Sequence, residues 1–148
     1  MPIIQVSTTI KSKREEVYEL LKKPEDLPKF IKNVKRIQIE DRDVRRAVVH
    51  WEVLVDGALV IWKEEQIFDD VSFTMRFKML EGDYNKYEGE WELQRVLNGT
   101  KIILSVNIDW GMPSFVAFPE VKKILMTKTK TSLKAMLIAL KKRAERSI

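Results

Sequence analysis

Glu64 and Gln66 stand two residues apart in the run Leu59–Phe68, and a regular strand there puts both on one face with Trp62 and Phe68. A carboxylate among aromatic rings loses hydration, so its pKa rises and it becomes able to donate or accept a proton near neutral pH. Tyr87, in a second aromatic-rich run, is the other candidate for proton transfer. Glu65 neighbours Glu64 and points to the opposite side of a strand, so the two cannot act as an acid/base pair. The plain alternative for either glutamate is a solvent-facing position.

Other chemistry is sparsely provided for. The chain has no cysteine and one histidine, which removes disulfides, thiolate zinc sites and cysteine nucleophiles together. His50 alternates with Val49 and Trp51, and no serine carries the flanking glycines of a nucleophile elbow. Asp41-Arg42-Asp43 and Asp69-Asp70 lack the ligand number and glycine of a calcium loop and are read as turns. The five glycines are isolated, so no phosphate-cradling loop is present. No metal and no cofactor is expected.

The elements that must hold these residues follow from periodicity. Ile3–Ile10 alternates as a strand, and Ser12 with Glu15 has capping-box spacing for a helix carrying Val17, Leu20 and Leu21, stopped by Pro24. Asp26–Ile31 reads as a second short helix with Pro28 in its first turn. Strands are expected over Val34–Glu40, Val44–Val55, Leu59–Phe68, Ser72–Leu80, a run containing Tyr87–Gln94, and Lys101–Asp109. Asp56-Gly57 and Asn98-Gly99 are hairpin dipeptides, and Asn98-Gly99-Thr100 is read as a turn although it matches a glycosylation triplet. Residues 110–119 are irregular, punctuated by Gly111, Pro113 and Pro119. A long amphipathic helix closes the chain, with Val121, Leu125, Thr129, Ser132, Met136 and Leu140 at helical spacing. Short hairpin links make the strands antiparallel, and only the terminal helix has an apolar stripe long enough to cover them. At 148 residues, one domain over 1–148 is expected.

Charge is unevenly placed. The net charge is +5, yet the segment from Pro119 to the end carries nine bases and two acids, +7, leaving −2 for the rest. Such asymmetry suits RNA, a ribosome or an anionic membrane surface; a solvated helix face is the plain alternative. The longest fully apolar run, Ala135–Leu140, is far short of the ~20 residues of a membrane span. Met1–Val6 turns polar at once, unlike a secretory leader, so a cytoplasmic location is expected. The cysteine-free, Lys- and Glu-rich composition has a thermophile character.

The order and text of these elements resemble a known superfamily. Ser12–Leu21 with Phe30–Ile39, then Phe68-Asp69-Asp70 leading into Phe73–Phe77, Glu81-Gly82-Asp83-Tyr84 followed by Tyr87-Glu88-Gly89-Glu90-Trp91, and Gly99-Thr100-Lys101-Ile102 are similar to the START-like helix-grip superfamily, in its bacterial polyketide cyclase/dehydrase and coenzyme Q-binding group. The resemblance implies an α+β fold: a curved antiparallel seven-stranded sheet wrapped around a long C-terminal helix, with two short helices after the first strand. It also implies an internal cavity.

Single strand faces supply candidate lining residues: Trp62, Glu64 and Phe68; Phe73, Met75 and Phe77; Tyr87 and Trp91. The helix adds Met126, Thr129, Leu133, Met136 and Leu137, with Met112 and Phe115 placed at a gate in the irregular segment. Ordinary core packing is the alternative for each of them. Three functions follow. The first is binding, with transport or chaperoning, of a hydrophobic small molecule such as a lipid, isoprenoid quinone or polyketide. The second is a polyketide cyclase/dehydratase using Glu64 and Tyr87. The third is a module that docks on a ribosome or anionic membrane through its basic helix.

Overall fold

In the computed structural model, residues 3–55, 57–110 and 119–146 are described. Strand β1 (Ile3–Ile10) leads to helix α1 (Arg14–Leu21) and a 3-10 turn (Pro24–Lys29). Six strands follow: β2 (Val34–Arg42), β3 (Arg46–Val55), β4 (Ala58–Asp69), β5 (Thr74–Gly82), β6 (Lys86–Val96) and β7 (Gly99–Asp109). Helix α2 (Pro119–Glu145) ends the described chain. The seven strands form one antiparallel sheet in the order β1-β7-β6-β5-β4-β3-β2. This is the helix-grip α+β arrangement.

The order explains the two short helical pieces. Strands β1 and β2 are adjacent in sequence but lie at opposite edges, so α1 and the 3-10 turn carry the chain across the sheet. Every hairpin from β2 onward then adds a strand back toward β1. Period-two burial gives the sheet its inner face: Ile102, Leu104, Val106 and Ile108 on β7, and Trp62, Glu64, Gln66 and Phe68 on β4, are buried between more exposed neighbours. Helix α2 seats Thr129, Leu133, Met136, Leu137, Leu140 and Ala144 on that core, while Ile124 in its first half is 54% exposed.

Several local expectations are corrected. Lys13, rather than Ser12, occupies the N-cap of α1 and makes no side-chain cap. The Ser12 hydroxyl instead donates to the Ala144 carbonyl of α2 at 3.3 Å, and the Lys11 N–H donates to the Glu145 carboxylate at 2.9 Å. A tertiary tie between the helices has displaced the local cap. The second helical piece is a 3-10 turn that starts at Pro24, with Pro28 inside it. Strand β2 runs on to Arg42 and β3 starts only at Arg46, so the turn is Asp43-Val44-Arg45, and the Asp43 carboxylate accepts the Arg45 and Arg46 N–H groups at 2.9 and 3.0 Å.

The β6–β7 loop is Leu97-Asn98, one residue earlier than the dipeptide signal, because Val96 pairs with Gly99. Asn98 takes the left-handed conformation (φ 63°), which asparagine tolerates. Gly99 must be in the strand without a Cβ, since one there would overlap the Ile10 carbonyl. Strand β5 begins at Thr74, because Phe73 has φ 55° and falls outside the alternation.

Candidate functional site

Strand β4 lays Trp62, Glu64 and Gln66 side by side in the interior, with Glu64 only 3% exposed. The Glu64 carboxylate accepts the Trp62 indole N–H at 2.7 Å on one oxygen and the Gln66 amide at 2.8 Å on the other. These donors favour its charged form, and the Trp51 N–H does so too without a well-formed hydrogen bond. Burial nevertheless dominates and lifts the Glu64 pKa to about 7. The group thus exchanges its proton around neutral pH.

Aromatic rings wall this acid. Trp51 on β3 stacks on its cross-strand partner Trp62 at 5.5 Å and 7° between planes. Tyr87 lies 5.0 Å from Trp62 and 5.4 Å from Phe77, and Tyr84 stacks on Tyr87 at 5.1 Å. Gly89 makes room for the array: a Cβ there would press on the Phe77 ring and overlap the Ser105 carbonyl. Burial first, and then the nearby Glu64 charge, hold the Tyr87 phenol far above its usual range. At neutral pH it is a proton donor only.

Two spaces adjoin the array. A pocket of ≈ 380 Å³ lies between the β3–β4 hairpin, the β5–β6 loop and the first half of α2. Its walls include Val55, Val60, Tyr84, Trp110, Leu125 and Thr129, and the Trp110 indole donates to Thr129 Oγ1 at 3.2 Å. A second, smaller void of only ≈ 20 Å³ is bounded by Trp51, Gln66, Met75, Trp91 and Met136 and by apolar side chains of α1, the 3-10 turn and α2.

The structure distributes the sequence candidates between these places. Trp62, Glu64, Phe77 and Tyr87 form the buried acid and its wall, and Met75, Trp91 and Met136 border the small void. Thr129 borders the larger pocket. Leu133, Leu137 and Phe68 are buried in the core. Phe73 turns toward α1, 5.2 Å from Tyr18 and under the Arg14 guanidinium. Met126 borders a separate outer groove of ≈ 500 Å³ with Ile3, Lys122, Lys123 and Lys130. Met112 and Phe115 lie outside the described residues. His50 is half-exposed, 3.7 Å from Glu40. Sequence reasoning passed over Trp51, Tyr84, Trp110 and Leu125. Counting back from the Asp56-Gly57 loop would have found Trp51 opposite Trp62.

Among the described residues no cluster of His, Asp or Glu has the makings of a metal site, and no helix is long and apolar enough to cross a membrane.

Comparison with known proteins sets this geometry in context. Residues 10–136 match the model of the family described as polyketide cyclase / dehydrase and lipid transport. No curated protein matches the chain. A solved protein of Thermus thermophilus is 27% identical, with a TM-score of 0.93 over 99% of each chain. The Zhui aromatase/cyclase of a Streptomyces species, strain R1128, is 17% identical, with a TM-score of 0.88 over 98% of this chain and 94% of that one. A START superfamily protein of Mycobacterium smegmatis is 12% identical, with a TM-score of 0.80 over 99% of each chain. The last two likenesses are likenesses of fold.

Proposed function

Because this chain belongs to the polyketide cyclase / dehydrase and lipid transport family, we propose that it binds a hydrophobic small molecule, such as a lipid, isoprenoid quinone or polyketide, between the sheet and α2 in the cytoplasm. One observation carries the reading. The ≈ 380 Å³ pocket is mostly apolar and shares Tyr84 with the aromatic array that encloses Glu64. Ligand sites typically combine such an apolar wall with a few convergent polar groups, in a volume of roughly 300–1,000 Å³. Affinity would come from apolar burial, about 25 cal/mol per Å² before the costs of association. The ligand enters between Val60, Tyr84 and Leu125 and reaches the acid by displacing rings of the array. Native mass spectrometry of the purified protein, with an organic extract of the same sample, tests this.

A second reading is catalytic, and the Glu64 pKa of about 7 favours it. A polyketide chain folded against the rings would gain proximity, Glu64 would take a proton, and the neutral Tyr87 phenol would donate one. Under this reading Glu64→Gln abolishes turnover while leaving binding intact. The exposed Lys122, Lys123 and Lys130 beside Ile3 support a further partner, an anionic membrane surface; its test is binding to anionic vesicles that weakens steeply with salt.

A further inference from the structure

Among the described residues, strand β1 is an edge of the sheet: it pairs with β7 on one side and with no strand on the other. Along an antiparallel strand the N–H and C=O of one residue point to the same side, and the side alternates from residue to residue. The Ile10 carbonyl abuts Gly99 of β7, whereas the Thr9 carbonyl accepts Lys141 Nζ of α2 at 2.8 Å. The register from Ile3 to Ile10 is unbroken, so the backbone groups of Ile3, Gln5 and Ser7 face away from β7, as those of Thr9 do. Lys141 blunts the edge at Thr9, a common use of lysine at sheet edges.

Toward Ile3 the helix stands off and leaves a groove of ≈ 500 Å³. It runs along Ile3 and Gln5 and is faced by Lys122, Lys123, Met126 and Lys130 of α2; three lysines and no acid line it. Lys122 and Met126 stand one heptad before Thr129 and Leu133, so they share the face that α2 turns to the core. Thr129 and Leu133 are buried on that face, yet Lys122 is exposed and Met126 only half-buried. A free strand edge and an uncovered stretch of the inner helix face thus meet in one basic groove.

We propose that this groove receives an extended acidic segment of a partner protein, which adds to β1 as a further strand. Its backbone pairs with the outward N–H and C=O groups of Ile3, Gln5 and Ser7, and main-chain bonds of this kind supply affinity in strand addition. Its side chains on the helix side alternate with those facing away, and carboxylates there meet Lys122, Lys123 and Lys130. The strand edge is what favours a peptide over a membrane surface, since a bilayer has no peptide N–H and C=O groups to offer in register. The groove shares no lining residue with the ≈ 380 Å³ pocket, so the proposal stands apart from the small-molecule reading.

The test titrates the whole protein into a short fluorescein-labelled peptide that alternates glutamate with threonine, read by fluorescence anisotropy. Two control peptides are the same sequence methylated at every backbone nitrogen and the version with lysine in place of glutamate. The expected result is binding of the acidic peptide that weakens with salt, about tenfold or more weaker binding of the methylated one, and none of the lysine version. Gln5→Pro removes one outward N–H and no bond to β7, and should weaken binding about threefold or more. Lys123→Glu combined with Lys130→Glu, both at exposed positions, should abolish it, with thermal melts confirming that the variants fold. The peptide comparison on the unaltered protein stands without either variant. Equal binding of the acidic and methylated peptides overturns strand addition. Failure of the acidic peptide to bind overturns the proposal, and anionic vesicles that bind instead, and lose binding in the lysine variant, assign the groove to a membrane surface.

Discussion

Trp62 Nε1 donates to Glu64 Oε1 at 2.7 Å, a bond between residues two apart on the inner face of one strand. Same-face neighbours on a strand are close enough for this, and the β4–β5 register shifts between Lys63 and Glu64 at the same place. The bond ties the one deeply buried acid among the described residues to the largest ring in its wall, so the charge state of Glu64 and the position of Trp62 are coupled. Trp51 stacks on the same ring from the neighbouring strand, which extends the coupling to the void.

Stability should fall as pH rises through the neutral range. The Glu64 pKa is about 7 when folded and near 4.5 when unfolded, so the folded state binds the extra proton between those values. The stability this confers is fully present below about pH 4.5, declines above it and is gone above about pH 7, a loss of about 3 kcal/mol. Glu64→Gln should remove this slope and match or exceed wild-type stability at pH 8. Denaturant unfolding at pH 5, 6, 7 and 8 on both proteins checks it.

The fold was legible in the sequence because its signals are periodic and local. Alternation along Leu59–Phe68 placed Trp62, Glu64, Gln66 and Phe68 on one face, and the structure puts them there. The errors lie where tertiary contacts overrule local signals. Ser12 gave up its cap for the Ala144 carbonyl, and Gly99 was needed against Ile10 rather than in the turn. Phe73 sits in a left-handed backbone conformation that alternation cannot reveal. The pocket walls were hardest to read, because Tyr84, Trp110 and Leu125 come from two loops and a helix whose meeting has no sequence period. Trp51 was readable in principle, through its register with Trp62.

Trp91 should matter for folding. It is buried between its neighbours Met75 and Leu104 in the middle of the sheet, and Trp91→Ala should cost about 3–5 kcal/mol. The measurement is the denaturant midpoint. A change of well under 1 kcal/mol would show that the site collapses around the missing ring.

Leu125→Trp should block ligand uptake while sparing the fold. Leu125 is half-buried and borders the ≈ 380 Å³ pocket, so a larger side chain fills open space and should shift stability by no more than about 1 kcal/mol. Met136→Trp, on the same helix, faces only ≈ 20 Å³ and should cost about 1–3 kcal/mol through overpacking. Titration of a fluorescent fatty acid separates the two: uptake is lost in Leu125→Trp with an unchanged melting curve, whereas Met136→Trp melts early.

The most direct measurement of the central claim is native mass spectrometry of the freshly purified protein, paired with analysis of an organic extract of the same sample. The account predicts a mass above that of the bare chain and one hydrophobic compound in the extract, displaced or absent in Leu125→Trp. A bare chain that also fails to take up lipids, quinones or polyketides added in excess would contradict it.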